Sequence, residues 1–497
     1  MAMNRTYSTT LPLFLILSLA ISFIVMAQST QIQDVCAQIA TALSAPSAVH
    51  YAGTESFKKF SEHWASSSNQ VPACAVQPHT ADDVGKILQI IDRTRTPFAV
   101  MGGGHATSPF LSSTEGVHIS TSAFTSIEYN EVTKTVKFGA GLKWEELYAA
   151  LEPYGVNVPG GRIPGVGVGG FILGGGYSLH TNQVGLSFDS IVAFELVKPT
   201  GEVVEVTHES DPELFFALKG GGNNFGVVTK FTMKTFPQGQ IWGGTITYAD
   251  PAVFGAVNAA TAKFSAESTD PKAVLLAYTT FFQGTPLLQA QFLNISSVAS
   301  TVATQSFTAM INAITISPRP GWSAVCPSIP CAHSLGVSVP AYSLSFMTVL
   351  TEQLLSVGPE LSDKSLIFLG FVSEPFIPSI LSHNTHDTAY PFTRDVLYTP
   401  FNIFVAWADP SQDKAMKAAI EKISEVLEKT LVEEGYKDVP TSPLYPNYAL
   451  WDAPLERIYG TNLPKLQEVK RRVDPGDVMG LAGGFKVPSK AVVRDEL

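Results

Sequence analysis

Four consecutive residues, Gly102-Gly103-Gly104-His105, carry chemistry before any fold is considered. Positions without side chains let backbone N–H groups come close to an anionic ligand such as a pyrophosphate, and His105 adds a nucleophilic nitrogen beside it. A second glycine-rich stretch answers the first: Gly165-Val166-Gly-Val-Gly169-Gly170, then Gly174-Gly-Gly176-Tyr177. Its first half is literally G-x-G-x-x-G, with Asp189 following at roughly the ribose distance of a nicotinamide-binding fingerprint. That fingerprint must sit between a buried strand and a helix. Here Pro159-Gly-Gly-Arg-Ile-Pro164 precedes it and further glycines follow, a density that reads as loop.

Tyr445-Pro-Asn447-Tyr448 offers phenolic groups. A phenol accepts a proton near neutral pH only if its pKa of about 10 is lowered, and the sequence does not show what would lower it. Arg394, Tyr398, Phe401 and Phe404 fall in one run where alternate residues of a strand would share a face, so pocket lining competes with sheet packing for each. Gly220-Gly-Gly-Asn-Asn-Phe-Gly-Val-Val228 reads as a tight turn before a strand, or a further close approach to a ligand.

The elements that must position these residues are legible in part. Thr80-Ala-Asp-Asp83 has capping-box spacing ahead of a helical stripe at Val84, Ile87, Leu88 and Ile91, and Phe98–Met101 is a short apolar strand leading straight into the first glycine loop. A strand is predicted over Thr135–Phe138, helices over Lys143–Leu151 and Asp211–Leu218, a hairpin over Ser190–Val206 and a β-rich run over Phe225–Lys234. Beyond Phe236 the glycine clusters stop. Strands are expected over Ala273–Tyr278, Gln289–Leu293, Leu366–Val372 and Phe401–Trp407. Met416, Ile420, Ile423, Leu427 and Leu431 mark a helix over Ser411–Glu434 that stops at Gly435. Helices over one face of a mostly antiparallel sheet is the α+β solution.

Together the two glycine loops resemble the flavin-binding half of the berberine-bridge-enzyme-like oxidases, in the vanillyl-alcohol-oxidase (PCMH-type) superfamily. The resemblance runs from about Cys74 to Phe236 and returns near Tyr445 to Phe485, where Tyr445-Pro-Asn-Tyr448, Tyr459-Gly-Thr-Asn462 and Val473-Asp-Pro-Gly476 keep the family's order. It implies a two-subdomain FAD-binding fold over 28–238, a substrate domain over 239–440 and a return to the FAD domain over 441–497. It further implies FAD held by Gly102, Gly103, Gly104, His105, Ala106, Pro164, Gly165, Gly169, Gly170, Gly176, Val228 and Asn447, with a covalent bond through His105. Tyr448 would be the proton acceptor and Val166 the residue that governs oxygen access. The family's second attachment point, a cysteine, is matched by Ile163, so a single link is expected. Met101 stands where relatives often carry Arg or Lys, which leaves pyrophosphate binding to backbone N–H groups.

The implied activity is that of an oxidase. Hydride would pass from an alcohol, phenol or amine to flavin N5, and O2 would take it on to H2O2, with ring closure of the oxidised product an option. A carbohydrate oxidase and a non-redox flavoprotein are the alternatives. Arg394 and Tyr398 are the expected substrate contacts.

The whole chain is consistent with this. Its 497 residues, 45% hydrophobic and 15% charged, suit a globular protein of two or three domains. A net charge of −11 without a basic run argues against nucleic acid or an anionic membrane, and no protein partner is implied. Residues 1–27, with Arg5 ahead of an apolar run from Leu11 to Ala27, read as a cleaved signal peptide, and no other stretch could span a bilayer. Entry to the secretory pathway makes disulfides the expected state of the four cysteines, read as Cys36 with Cys74 and Cys326 with Cys331; spacing does not fix the connectivity. Asn294-Ile-Ser is a glycosylation sequon. The terminal Arg494-Asp-Glu-Leu497 is a variant of the lumenal retention address, which puts the protein in the endoplasmic reticulum if read and outside the cell if not.

Overall fold

The computed structural model describes residues 30–290, 294–314, 331–383, 386–391 and 396–489. Three sheets organise them. The first runs Ala48–His50, Cys74–Gln77, Val117–Ser120, Phe98–Met101, the last three mutually parallel. The helix Ala81–Thr94 connects two of these strands, and buries Val84, Ile87, Leu88, Ile90 and Ile91. Thr80 caps it by accepting from Asp83 N at 3.1 Å. The Asp83 side chain does not complete a capping box: it bonds Ser47 at 2.7 Å and pairs with Lys86.

The second sheet is antiparallel throughout, in the order Ile127–Asn130, Thr135–Gly139, Val227–Lys234, Ile191–Val197, Val203–Val206. The third, seven-stranded, takes its strands from residues 246–407, with Ala277–Phe282 at its centre, then Leu366–Ser373 and Thr399–Trp407 and the edge strand Cys331–Val339 on one side. The helices Leu344–Ser362 and Asp413–Glu433 pack together on it. Met416, Ile420, Ile423, Leu427 and Leu431 are all buried, as their helical spacing requires, and Gly435 ends that helix in the left-handed region at φ +107°. The fold is therefore α+β.

Differences from the sequence reading have local causes. Of the strand expected over Gln289–Leu293, residues 291–293 lie outside the described residues; the described strand Thr285–Ala290 pairs with Ala277–Phe282 across a tight turn containing Gly284. The strand Cys331–Val339 and the helix Leu344–Ser362 were not anticipated. The strand is buried on both faces and so lacks alternation, and the helix carries Pro359.

Cys36 and Cys74 form the expected disulfide. The second bridge is not seen: Cys331 is a free buried thiol 3.4 Å from Ser66 Oγ, and Cys326 lies outside the described residues. So do the signal peptide, Arg394 and the Arg494–Leu497 tail. Asn294 is exposed in a turn. No helix among the described residues is long and apolar enough to cross a membrane.

Candidate active site

The first glycine loop leaves the edge strand Phe98–Met101, and the second loop packs against it backbone to backbone. A Cβ on Gly103 would fall 2.4 Å from Gly167 N, and one on Gly167 2.3 Å from Gly103 N. Only glycine allows this approach. The second loop is tied to the second sheet's side by Trp144 N–H donating to Val166 O at 3.1 Å and Val168 N–H donating to Leu142 O at 3.0 Å. It leads into the short helix Val168–Leu173, with no strand before it, so the nicotinamide fingerprint is structurally absent.

These loops line a cavity of about 440 Å³, together with Val228, Asn447 and Tyr448 and with residues of the third sheet. Gly102, Gly103, Gly104, His105, Ala106, Val166, Gly169 and Gly170 all face it, and nothing lies within 4 Å of the position a Gly170 Cβ would take. Pro164, Gly165 and Gly176 do not line it. Gly176, at φ +91°, instead donates its N–H to Tyr445 OH at 3.2 Å. Tyr398 is also placed elsewhere: it is buried in the core of the third sheet, its hydroxyl bonded to Asp438. Phe401 joins that core, while Phe404 reaches the cavity wall.

The cavity's lining suits a flavin dinucleotide: glycine backbone at Gly102–Gly104, Gly169 and Gly170 faces it, and His105 adds a ring nitrogen. His105 Nε2 is buried without a hydrogen-bond partner. The ring is half-buried because its edge meets the cavity, yet desolvation draws its pKa down to about 4, with the Lys143 charge acting the same way. The imidazole is therefore neutral, with a lone pair available. Ile163 lines the cavity and offers no thiol for a second bond.

Three residues from distant parts of the chain meet at the cavity wall. Arg162 Nη1 and Nη2 donate to Glu374 Oε2 and Oε1 at 2.6 and 2.9 Å, a bidentate pair whose side chains are 10% and 0% exposed. Tyr448 OH donates to Glu374 Oε1 at 2.7 Å and accepts from Arg162 Nη2 at 2.5 Å. Gly336 makes room for this tyrosine, since a Cβ there would lie 3.1 Å from Tyr448 Cβ.

Burial pushes the Tyr448 phenol well above its usual pKa; the Arg162 charge pulls it down, but Glu374 and Tyr445 push it up again. Together these shifts favour the protonated phenol, whose hydroxyl donates to the Glu374 carboxylate. The sequence reading named neither Arg162 nor Glu374, although Arg162 sat inside the quoted Pro159–Pro164 stretch.

Residues 72–207 match a family model described as an FAD binding domain. The chain is 28% identical over 480 residues to the FAD-dependent monooxygenase drtC of Aspergillus calidoustus, covering 90% of this chain and 88% of that one. It is 34% identical over 304 residues to an FAD-dependent monooxygenase of Fusarium proliferatum, a match that spans 58% of this chain and 57% of that protein. Among solved structures, BBE-like 1 of Physcomitrella patens aligns with a TM-score of 0.69 at 19% identity, over 92% of this chain and 99% of the other. Carbohydrate oxidase from Microdochium nivale aligns at 0.70 and 18%, over 92% and 99%. At such identities the structural likeness shows the fold.

Proposed function

We propose, from the premise that this chain is an FAD-linked oxidoreductase with the fold of the berberine-bridge-enzyme-like flavoenzymes, that it oxidises a small alcohol, phenol or amine with O2 as acceptor. The observation that carries this reading is the buried Tyr448–Glu374–Arg162 cluster in the cavity wall. When bound, FAD would accept hydride from the substrate and pass the electrons to O2, giving H2O2. The chain's own part is the proton. A substrate O–H or N–H that reaches Tyr448 gives its proton to the phenolic oxygen as the phenol's own hydrogen moves to Glu374 Oε1. Arg162 holds both acceptors in place and keeps the carboxylate compensated while it is deprotonated.

His105 would carry the single covalent link, and the glycine loops would supply N–H groups to the pyrophosphate, because Met101 gives no cation there. Val166 faces the cavity where oxygen would approach. The substrate is assigned to the side formed by residues 239–440. Tyr278, Phe368, Phe371, Val372 and Phe404 line the cavity there beside Thr280, Ser334, Glu374 and Asn402, a largely aromatic wall with a few polar groups that suits an aromatic specialised metabolite.

The fungal relatives named monooxygenases favour a second reading, in which one oxygen atom enters the product. Screening a metabolite panel for H2O2 release, then testing whether the hit bleaches the flavin under nitrogen, separates these outcomes. Bleaching with stoichiometric peroxide on readmitting air supports the oxidase. Incorporation of label from 18O2 into the product supports the monooxygenase, and no bleaching by any compound that binds removes redox use. The apolar N-terminal run over residues 1–27 and the Arg494–Leu497 tail support residence in the lumen of the endoplasmic reticulum, with a glycan on the Asn294 sequon. Deleting the last four residues should then release it to the medium. Equal secretion of both forms would make the tail incidental.

A further inference from the structure

Trp64 has no part in the proton transfer, yet it is built into the same cavity. Its indole stacks parallel to the His105 ring but offset from it, with centroids 5.2 Å apart and planes 4° from parallel. Trp64 is itself fixed on two sides. Its backbone N–H donates to Gly104 O at 2.9 Å, which ties it to the loop that carries the histidine, and its ring meets Phe404 of the third sheet at 5.6 Å. A parallel ring restricts rotation of the imidazole out of that plane and shields part of one face. What remains open to the cavity is the in-plane edge of the ring; Nε2 itself is buried without a hydrogen-bond partner.

We infer that Trp64 is the positioning residue for covalent attachment of the flavin: it holds the His105 imidazole so that its edge, and no other part, meets the flavin. The inference rests on the reading of His105 as the attachment point. Attachment forms a bond between an imidazole nitrogen and the 8α carbon of the flavin and breaks one C–H bond of that methyl group. The methyl hydrogen, the imidazole N–H proton and the two electrons lost by the carbon pass to the flavin ring and from there to O2 as H2O2, so the balance closes without another oxidant. Rate gains in such a step come from holding the reacting atoms in line. A stacked plane does this without taking up Nε2 in a hydrogen bond, as a polar neighbour would.

The test mixes flavin-free full-length protein with FAD and follows the flavin that stays with the acid-precipitated pellet, while filtration measures total FAD bound. Trp64→Leu should bind FAD but attach it about tenfold more slowly or worse, as expected when orientation is lost. Trp64→Phe, which keeps a plane, should restore the rate to within about threefold of wild type. Trp64→Met fills the space with a flexible chain and gives the same reading if the leucine variant does not fold. Wild-type attachment rates in the leucine or methionine variant overturn the inference. So does equal slowing in the phenylalanine variant, which would assign the effect to bulk. A wild-type protein with no covalent flavin, or a His105→Ala variant that retains it, would instead overturn the reading of His105.

Discussion

The decisive residues divide by how locally their chemistry is written. His105 is legible because three glycines precede it, and Tyr448 because it closes a short aromatic motif. Arg162 and Glu374 are not: an arginine among glycines and prolines and a glutamate at a strand end are unremarkable until the chain folds them to 2.6 Å. Their pairing also bears on Tyr448, since a phenol that donates to a buried carboxylate is favoured in its protonated form. The pair predicts a stability effect of its own. Arg162→Met leaves Glu374 buried and uncompensated, and breaking such a pair typically costs about 3–5 kcal/mol. Thermal unfolding should show a clear fall in Tm for the single variant, with part of it recovered in Arg162→Met/Glu374→Leu. A single variant as stable as wild type would mean that Glu374 is protonated or hydrated rather than held by the arginine.

At the scale of elements, the glycine loops work by mutual contact. Sequence pairs the two loops without showing that they touch; Gly103 and Gly167 pack backbone to backbone and make one cradle. Gly167→Ala should force the loops apart, because its Cβ has backbone rather than a flexible side chain in its way. The expected result is a folded protein, or one of lowered Tm, that no longer retains FAD on gel filtration. Normal retention would show that the loops can separate without harm. The helices Ala81–Thr94 and Asp413–Glu433 were legible because one face of each is strongly periodic. The strand Cys331–Val339 was not, since a strand buried on both faces has no alternation to read.

The whole molecule brings three sheets to one cavity, and its stability should depend on histidines kept neutral inside it. Burial draws His118 down to about 3, and neither of its ring nitrogens has a hydrogen-bond partner. His105 follows at about 4. The unfolded chain takes up these protons near pH 6.5 and the folded one does not. Stability is therefore fully present above about pH 6.5 and is lost as pH falls through 4 towards 3, by a few kcal/mol for His118 if its whole shift is expressed. Replacing His118 by Phe should flatten the fall in Tm between pH 7 and pH 4. An unchanged slope would place the acid sensitivity in other groups.

The central claim is that the substrate proton ends on Glu374 by way of Tyr448. Rapid anaerobic mixing tests it most directly, with flavin bleaching followed in wild type, Glu374→Gln and Tyr448→Phe using an alcohol or phenol found by peroxide release. Loss of a general base is typically worth roughly 10²–10⁴-fold. Both variants should be slowed by about that much at neutral pH with their flavin content unchanged, Glu374→Gln at least as severely as Tyr448→Phe. Reduction of Glu374→Gln within threefold of wild type would contradict the account and move the proton acceptor elsewhere in the cavity.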